Sequence, residues 1–316
     1  MLSRVAESIY WMSRQVERAE NLARFIEVTL HMTLEQPDYL VDPWQPLVHA
    51  TGDNELFQEK YSVANATNVV RFMAFDSDYP SSMISCLRAA RENARCVRDS
   101  LSSESFQHLN DFYHFVRDAP ESQLSDPTSD FFEKVRERSL LWSGIVDSTM
   151  PHHVGWHFLN LGRLLERADK TSRILDVKYF SLHKRMDQVG TALDDLQWST
   201  LLLAISGIEA YRREHHLVDI QKIVAFFVFH QSFPRSIFPC ITGAKWSLRN
   251  IENDCGADVP GNASQQLSVL HHRLANSNAQ EVISRGMHEF VDDFQHQLNA
   301  VGDSLATDFF HLTAAS

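Results

Sequence analysis

The sequence is short of the residues that several common classes of protein depend on. Its 316 residues include only 11 glycines and four cysteines. The four cysteines, Cys86, Cys96, Cys240 and Cys255, have neither zinc-finger nor redox spacing and are too few to staple a chain of this length, so we interpret them as reduced thiols. No Gly-rich loop suited to a nucleotide phosphate occurs, and no stretch alternates β-branched with polar residues. The sequence therefore predicts an all-α protein with no bound cofactor.

Positive charge and long apolar runs are also scarce. The chain has 29 Lys and Arg residues against 41 Asp and Glu residues, which gives a formal net charge of −12. This excess of negative charge argues against a general affinity for nucleic acid or for anionic membranes. Charged residues interrupt the apolar N-terminus, and no later run of about 20 apolar residues follows, so we expect neither a signal peptide nor a membrane span. We predict a cytoplasmic protein.

Apolar residues at helical spacing, by contrast, are present along the whole chain. Ser3 can cap a long first helix whose apolar face continues to about Leu34. The further predicted helices cover 44–61, 63–75, 83–97, 103–116, 131–150, 152–184, 194–214, 217–229, 235–253, 264–274 and 280–312. We expect Ser103 to cap the helix that begins there. Polar, Pro-containing residues make 119–128 and 254–261 the predicted loops.

One stretch of the chain recurs. Residues 14–24 read RQVERAENLAR, and residues 163–173, at an offset of 149, read RLLERADKTSR. At an offset of 154 the match continues through Trp44 and Trp198, Phe72 and Phe226, Pro80 and Pro234, Cys86 and Cys240, and Arg95 and Arg249. An internal duplication of this kind fixes the architecture. It predicts a helical bundle of two halves, 1–150 and 151–316, packed about a pseudo-two-fold axis in one compact domain.

The recurring motif places charge on one face of its helix. The charged residues are Arg14, Glu17 and Arg18 in the first copy and Arg163, Glu166 and Arg167 in the second. Large apolar residues lie before and after the charges in both copies, which predicts that the charges are covered. Because burying a charge is costly unless it is paired, we favour a buried structural network. A ligand-binding or catalytic pocket is the alternative, and a solvated face with weak ion pairs is the least favoured.

In the pocket alternative, Glu17 or Glu166 acts as a general acid or base. The arginines that would hold a carboxylate or phosphate are Arg14, Arg18, Arg24, Arg163, Arg167 and Arg173. The motif has carboxylates at the spacing of a di-metal site, but it lacks the Glu-x-x-His pairs that complete such a site in helical bundles, so we predict no metal. Whether the protein is an enzyme stays open.

These motifs resemble the alpha-E domain family of bacterial proteins. The resemblance is carried by the opening MLSRVAESIYWMSR and ERAENLAR of residues 1–24, by PSS at 80–82, by ARENAR at 90–95 and by the second motif at 163–173. It implies an all-helical domain with a Glu-Arg motif. Members of the family are commonly encoded beside, or fused to, circularly permuted ATP-grasp ligases and transglutaminase-like proteins.

The resemblance also implies a function. It indicates a helical component of a peptide-modification or amide-bond-forming system that acts with the ATP-grasp ligase and the transglutaminase-like protein, with a peptide as a possible substrate. The alternative is an enzyme in its own right, which processes the ATP-grasp product at the Glu-Arg pocket.

Overall fold

The computed structural model describes residues 1–35, 43–182, 191–256 and 259–310. Within these ranges the chain forms sixteen α-helices and no β-strand, so the predicted all-α class is confirmed. The helices are α1 Ser3–Glu35, α2 Trp44–Thr51, α3 Asn54–Lys60, α4 Ala66–Val70, α5 Met83–Cys96, α6 Ser103–Arg117, α7 Ser122–Ser125, α8 Ser129–Thr149, α9 Val154–Leu182, α10 Ala192–Ala204, α11 Ile208–Glu214, α12 Ile220–Phe229, α13 Ile237–Asp254, α14 Asn262–Ala275, α15 Ala279–Arg285 and α16 Met287–Leu305. Two π-helical segments, Arg71–Phe75 and Ala306–Phe310, follow α4 and α16 directly.

Three of the predicted helices are broken in two. The breaks lie at Gly52 with φ of 82° in the predicted helix 44–61, at Ser206 with φ of 54° in 194–214, and at Gly286 with φ of 102° in 280–312. A residue with positive φ cannot continue a right-handed helix, so each of these predicted helices was too long. Residues 184 and 312, where two helices were predicted to end, lie outside the described ranges.

Serine side chains set the start of two helices. The hydroxyl of Ser82 accepts a hydrogen bond from the backbone N–H of Ser85 at the start of α5. Ser102 accepts one from Ser105 at the start of α6, so the cap lies one residue before the predicted Ser103. Each bond satisfies an N–H that has no partner within its helix. The predicted loop 119–128 contains one short helix, α7.

Helices α1 and α9 form the centre of the bundle and run parallel to each other. Gly162 on α9 lies against the carbonyl oxygen of Tyr10 on α1, and one to two turns farther along, Glu166 bonds Arg18. The contacts advance in the same direction on both helices, which makes the pair parallel. Around it, α5 and α8 pack on α1, while α13, α16 and α2 pack on α9. Both motifs therefore lie inside the bundle.

Two sequence expectations concern membrane spans and the cysteines. No helix in the described ranges is both long enough and apolar enough to span a membrane. The four cysteines are free thiols, and Cys86 and Cys240 are buried.

Candidate functional site

The two Glu-Arg motifs meet at the interface of α1 and α9. Arg167 donates from Nε to Glu17 Oε1 at 2.9 Å and from Nη2 to Glu17 Oε2 at 2.8 Å. Arg18 donates from Nε to Glu166 Oε1 at 2.6 Å and from Nη2 to Glu166 Oε2 at 3.2 Å. Both pairs are bidentate, which is the strongest arrangement of guanidinium and carboxylate. In the sequence repeat Arg18 corresponds to Arg167 and Glu166 corresponds to Glu17. Exchanging α1 and α9 therefore turns one of these contacts into the other.

Further cations surround Glu166, which lies on α9. Arg14 donates from Nε to Glu166 Oε2 at 2.9 Å. The Lys170 ammonium lies 3.5 Å from Glu166 Oε1 and 2.9 Å from Asp169 Oδ2. Arg173 donates from Nε to the same oxygen of Asp169 at 3.0 Å. We call this group the Glu166 cluster: Arg14, Arg18, Glu166, Asp169, Lys170 and Arg173.

A second group surrounds Glu17, which lies on α1. Arg235, two residues before α13, is 3.3 Å from Glu17 Oε1 through Nη1 and donates from Nη2 to Glu20. Arg24 donates from Nε to Glu20 Oε1 at 3.0 Å and from Nη1 to the hydroxyl of Ser206 at 2.6 Å. We call this group the Glu17 cluster: Glu17, Glu20, Asn21, Arg24, Arg167 and Arg235.

Both central carboxylates are covered. Glu166 is 0% exposed and Glu17 is 2% exposed, so the solvated-face interpretation of the motif is wrong. Burial raises the pKa of Glu17, but Arg167 and Arg235 outweigh it and hold the pKa at about 2. For Glu166 burial is likewise outweighed, here by Arg18 and Arg14, and the pKa lies well below its ordinary value. Both carboxylates are therefore ionised at neutral pH and poor proton acceptors.

A cavity of about 600 Å³ opens beside the Glu166 cluster. Its charged wall consists of Arg14, Arg18, Lys170 and Arg173, with Asp169 among them. Its apolar wall includes Trp11, Leu165, Leu298 and Phe310. Three further carboxylates, Glu7, Asp53 and Asp303, also line the cavity, together with the neutral polar side chains Thr51, Tyr79, Ser81 and Asn299. The guanidinium carbon of Arg14 lies 5.0 Å from the ring centroid of Trp11, a cation–π distance. The hydroxyl of Tyr79 donates to the carboxylate of Asp53.

The predicted site residues divide between the two clusters. Arg14, Arg18 and Arg173 lie with Glu166 at the cavity, whereas Arg24 and Arg167 lie with Glu17. Arg163 belongs to neither cluster, because it donates to Asn160 Oδ1 at 2.7 Å and lies 3.5 Å from Asp147. No group of three or more His, Cys, Asp or Glu side chains in the described part of the chain has the geometry of a metal site.

Sequence reasoning missed several residues of these sites, of which five carry the argument below. They are Asp53, Tyr79, Ser81, Lys170 and Arg235. A signal existed for Lys170, which lies inside the second motif, and for Ser81 and Arg235, which occupy the same place in the repeat at an offset of 154. The hydrogen bond between Asp53 and Tyr79 joins two loops, and neither loop has a sequence signal that predicts it.

Comparison with known proteins identifies the family. The sequence model of the alpha-E family, described as a predicted alpha-helical domain with a conserved ER motif, matches residues 1–310. The chain belongs to this family. In this alpha-E protein Glu17-Arg18 and Glu166-Arg167 are Glu-Arg dipeptides, and they lie at the centre of the helix pair.

The curated relatives of this alpha-E protein are longer. An uncharacterized protein of Mycobacterium bovis is 23% identical over 304 residues, which cover 90% of this chain and 34% of the relative. Uncharacterized proteins from two strains of Mycobacterium tuberculosis are 23% and 22% identical over the same length. The chain thus spans about a third of the relatives it matches. No solved structure is significantly similar to it.

Proposed function

We propose that this alpha-E protein is the helical component of a bacterial peptide-modification or amide-bond-forming system and binds an anionic ligand of that system in the cavity beside Glu166. It acts in the cytoplasm with a circularly permuted ATP-grasp ligase and a transglutaminase-like protein. The observation that carries this proposal is the charged wall, where four cations share the two carboxylates Glu166 and Asp169 next to open space.

The chemistry of the wall favours an anion. Guanidinium and ammonium groups offer several N–H donors each, and a carboxylate or a phosphate accepts them at little steric cost. The cavity volume, about 600 Å³, lies in the range of small-molecule sites. The apolar wall beside Trp11 and Phe310 leaves room for a ligand that carries an apolar group behind its anionic head. A peptide with a free C-terminal carboxylate has this character.

The length of the relatives supports a role beside another protein. The matching segment makes up 34% of the Mycobacterium bovis protein, so the alpha-E domain occurs there within a longer chain. A domain that works next to others is suited to hold a substrate or product for them. The partnership with ATP-grasp and transglutaminase-like proteins rests on the family resemblance.

We also propose that the halves 1–150 and 151–316 are duplicates packed about a pseudo-two-fold axis. The reciprocal pairs of Arg18 with Glu166 and Arg167 with Glu17 support it, since a two-fold operation exchanges the partners of a contact. A second support is backbone conformation. Gly52 and Ser206, which match at an offset of 154, have positive φ values of 82° and 54°.

The alternative, an enzyme that uses Glu17 or Glu166 as acid or base, has less support. Both carboxylates accept hydrogen bonds on both oxygens from arginines, and both have a lowered pKa. A general base works best when its pKa lies near the working pH. The environment of these two residues favours a permanent charge that orients cations.

The partnership is tested by co-expression with a circularly permuted ATP-grasp ligase from the same genome. We expect the two proteins to co-purify, and we expect the ligase to form less amide product when the alpha-E protein is left out. The measurements are size-exclusion chromatography of the tagged complex and mass spectrometry of the product. Absence of a complex together with unchanged product would refute the partnership.

A further inference from the structure

The two clusters each contain a cation that bridges two carboxylates, but the cation comes from different places. In the Glu17 cluster, Arg235 lies two residues before α13 and bonds both Glu17 and Glu20. In the Glu166 cluster, Lys170 lies on α9 itself and its ammonium group contacts both Glu166 and Asp169. The bridging side chain carries one positive charge in both clusters, but it comes from a different segment of the chain in each.

The sequence repeat shows that two matched positions differ together between the clusters. At an offset of 154 the counterpart of Arg235 is Ser81, and at an offset of 149 the counterpart of Lys170 is Asn21. One cluster therefore combines Asn21 with Arg235, and the other combines Lys170 with a serine. Moving the cation onto α9 leaves a short side chain at position 81. Ser81 lines the cavity, and its hydroxyl accepts a hydrogen bond from Arg18 Nη1 at 3.4 Å.

The two clusters differ in the space beside their central carboxylates, and the Glu166 cluster also has one more cation, Arg14. The side chain of Arg235 is 9% exposed and fills the position beside Glu17 and Glu20, whereas its counterpart Ser81 lines the cavity beside Glu166. A cavity of about 520 Å³ does reach Arg24 and Ser206 at the far end of the Glu17 cluster, but neither Glu17, Glu20 nor Arg235 lines it. Exchanging arginine for serine in a packed interior would leave an empty volume, and such a volume costs stability unless something occupies it. An open volume next to paired charges is what a ligand site provides.

Two further matched positions differ in the same direction. Asp53 and Tyr79, which share a hydrogen bond at the cavity, correspond at an offset of 154 to Gly207 and Phe233. A Cβ at Gly207 would lie 2.9 Å from the ring of Phe226, so packing leaves no room for a side chain at the position that corresponds to Asp53. Two polar side chains that line the cavity at the Glu166 cluster are thus replaced by glycine and phenylalanine at the Glu17 cluster.

We infer that the chain carries one ligand site and not two, and that Ser81 and Lys170 decide which cluster is the site. The Glu166 cluster, opened by Ser81 and kept charged by Lys170, binds the carboxylate or phosphate of the ligand. In the Glu17 cluster Arg235 fills the corresponding space, and the ion pairs there hold α1, α9 and the segment before α13 together. This inference rests on the anion binding proposed above and adds its location, stoichiometry and determinants.

The test is to close the open cluster by copying the closed one. The double variant Ser81→Arg with Lys170→Asn keeps the formal charge and reproduces the combination of Asn21 and Arg235. The probes for isothermal titration calorimetry are the dipeptide alanyl-phenylalanine, its C-terminal amide, and inorganic phosphate. We expect the native protein to bind one anion per chain and the double variant to bind at least about tenfold more weakly, because the added guanidinium fills the cavity. Ser148→Arg, which makes the same exchange on an exposed face of α8, is the control and should bind like the native protein.

The arms of the experiment separate the possible results. Binding of the free dipeptide but not of its amide identifies a carboxylate ligand, and binding of phosphate alone identifies a phosphate ligand; both support the inference. Two anions per chain, or unchanged affinity in a folded double variant, would overturn the single site while leaving anion binding intact. No binding of any probe to the native protein would overturn both.

A single variant covers the case in which the double variant does not fold. Lys170→Asn keeps the open space and removes one of the four cations of the wall. We expect binding of the anionic probe to weaken by about tenfold, with one site per chain retained, because one charge-assisted contact is lost. Unchanged affinity in this variant would also overturn the inference.

Discussion

At the scale of single residues, the central question is what a buried glutamate does between arginines. Glu17 accepts two hydrogen bonds from Arg167, a third from Asn21 at 3.0 Å, and contacts Arg235. A carboxylate so fully occupied neutralises the guanidinium groups around it. Removing its charge leaves Arg167 without its bidentate carboxylate and Arg235 with Glu20 alone, which costs more than the pair itself contributes.

We therefore expect Glu17→Gln to destabilise the fold by about 3–5 kcal/mol. Urea denaturation followed by circular dichroism measures the change. Glu92→Gln is the matched control, because Glu92 is 52% exposed and pairs with Arg91 and Arg95 at the surface, where an ion pair contributes about 1 kcal/mol or less. If the Glu17 variant were instead as stable as the native protein but had lost a measurable activity, the enzyme alternative would gain support.

At the scale of elements, the close approach of α1 and α9 decides how the two motifs meet. Gly162 lies at the crossing, where a Cβ atom would overlap the carbonyl oxygen of Tyr10 and the hydroxyl of Ser13. Backbone atoms of a packed helix cannot move away cheaply. Glycine at this position keeps the helices near enough for Arg18 to reach Glu166 across the interface.

Gly162→Ala should lower the melting temperature even though alanine is the better helix former. The overlap pushes the two central helices apart and lengthens the cross-helix ion pairs. Gly144→Ala on α8 is the control, since a Cβ there meets nothing within 4 Å, and it should raise stability by about 1 kcal/mol. Equal shifts in both variants, measured by differential scanning calorimetry, would contradict this account of the crossing.

Element boundaries also show where sequence periodicity stops being informative. The first helix was predicted from Ser3 to about Leu34 and is found as Ser3–Glu35, because a long apolar stripe specifies a helix locally. The breaks at Gly52 and Ser206 were not predicted. Ser206 sits inside an apolar stretch that continues at helical spacing, whereas Gly52 lies in a polar run, 51–54. Arginines of the central helices bond both turns: Arg173 of α9 donates to the carbonyl oxygens of Ala50 and Thr51, and Arg24 of α1 donates to the hydroxyl of Ser206.

At the scale of the whole molecule, the buried carboxylates couple folding to pH. The pKa of Glu17 and that of Asp169 are about 2, and the pKa of Glu166 is well below its ordinary value, because cations outweigh the effect of burial. A carboxylate whose pKa is lower in the folded than in the unfolded state contributes stability above its unfolded pKa, and that contribution is lost as the pH falls towards the folded pKa. Burial raises the pKa of Glu27 and of Asp176 and opposes this trend.

The free energy of unfolding should therefore fall as the pH drops from about 5 to about 2. Urea titrations across this range measure it. Asp169→Asn removes one of these three buried carboxylates, so its stability should depend less steeply on pH than that of the native protein. A native protein whose stability stays constant over the range would show that the ion pairs do not persist in solution.

The sequence by itself determined that the chain is helical, that it belongs to the alpha-E family, and that its Glu-Arg motifs are covered. The helices and the burial follow from local spacing, in which apolar residues before and after a charge predict burial, whereas the family follows from the resemblance of the motifs. Only the tertiary structure decided which charges pair, that Arg163 is turned away, and that Arg235 closes one cluster while Ser81 leaves the other open. The physical reason is distance: Arg235 and Glu17 are 218 positions apart in the chain, and only folding brings a guanidinium group within 3.3 Å of that carboxylate.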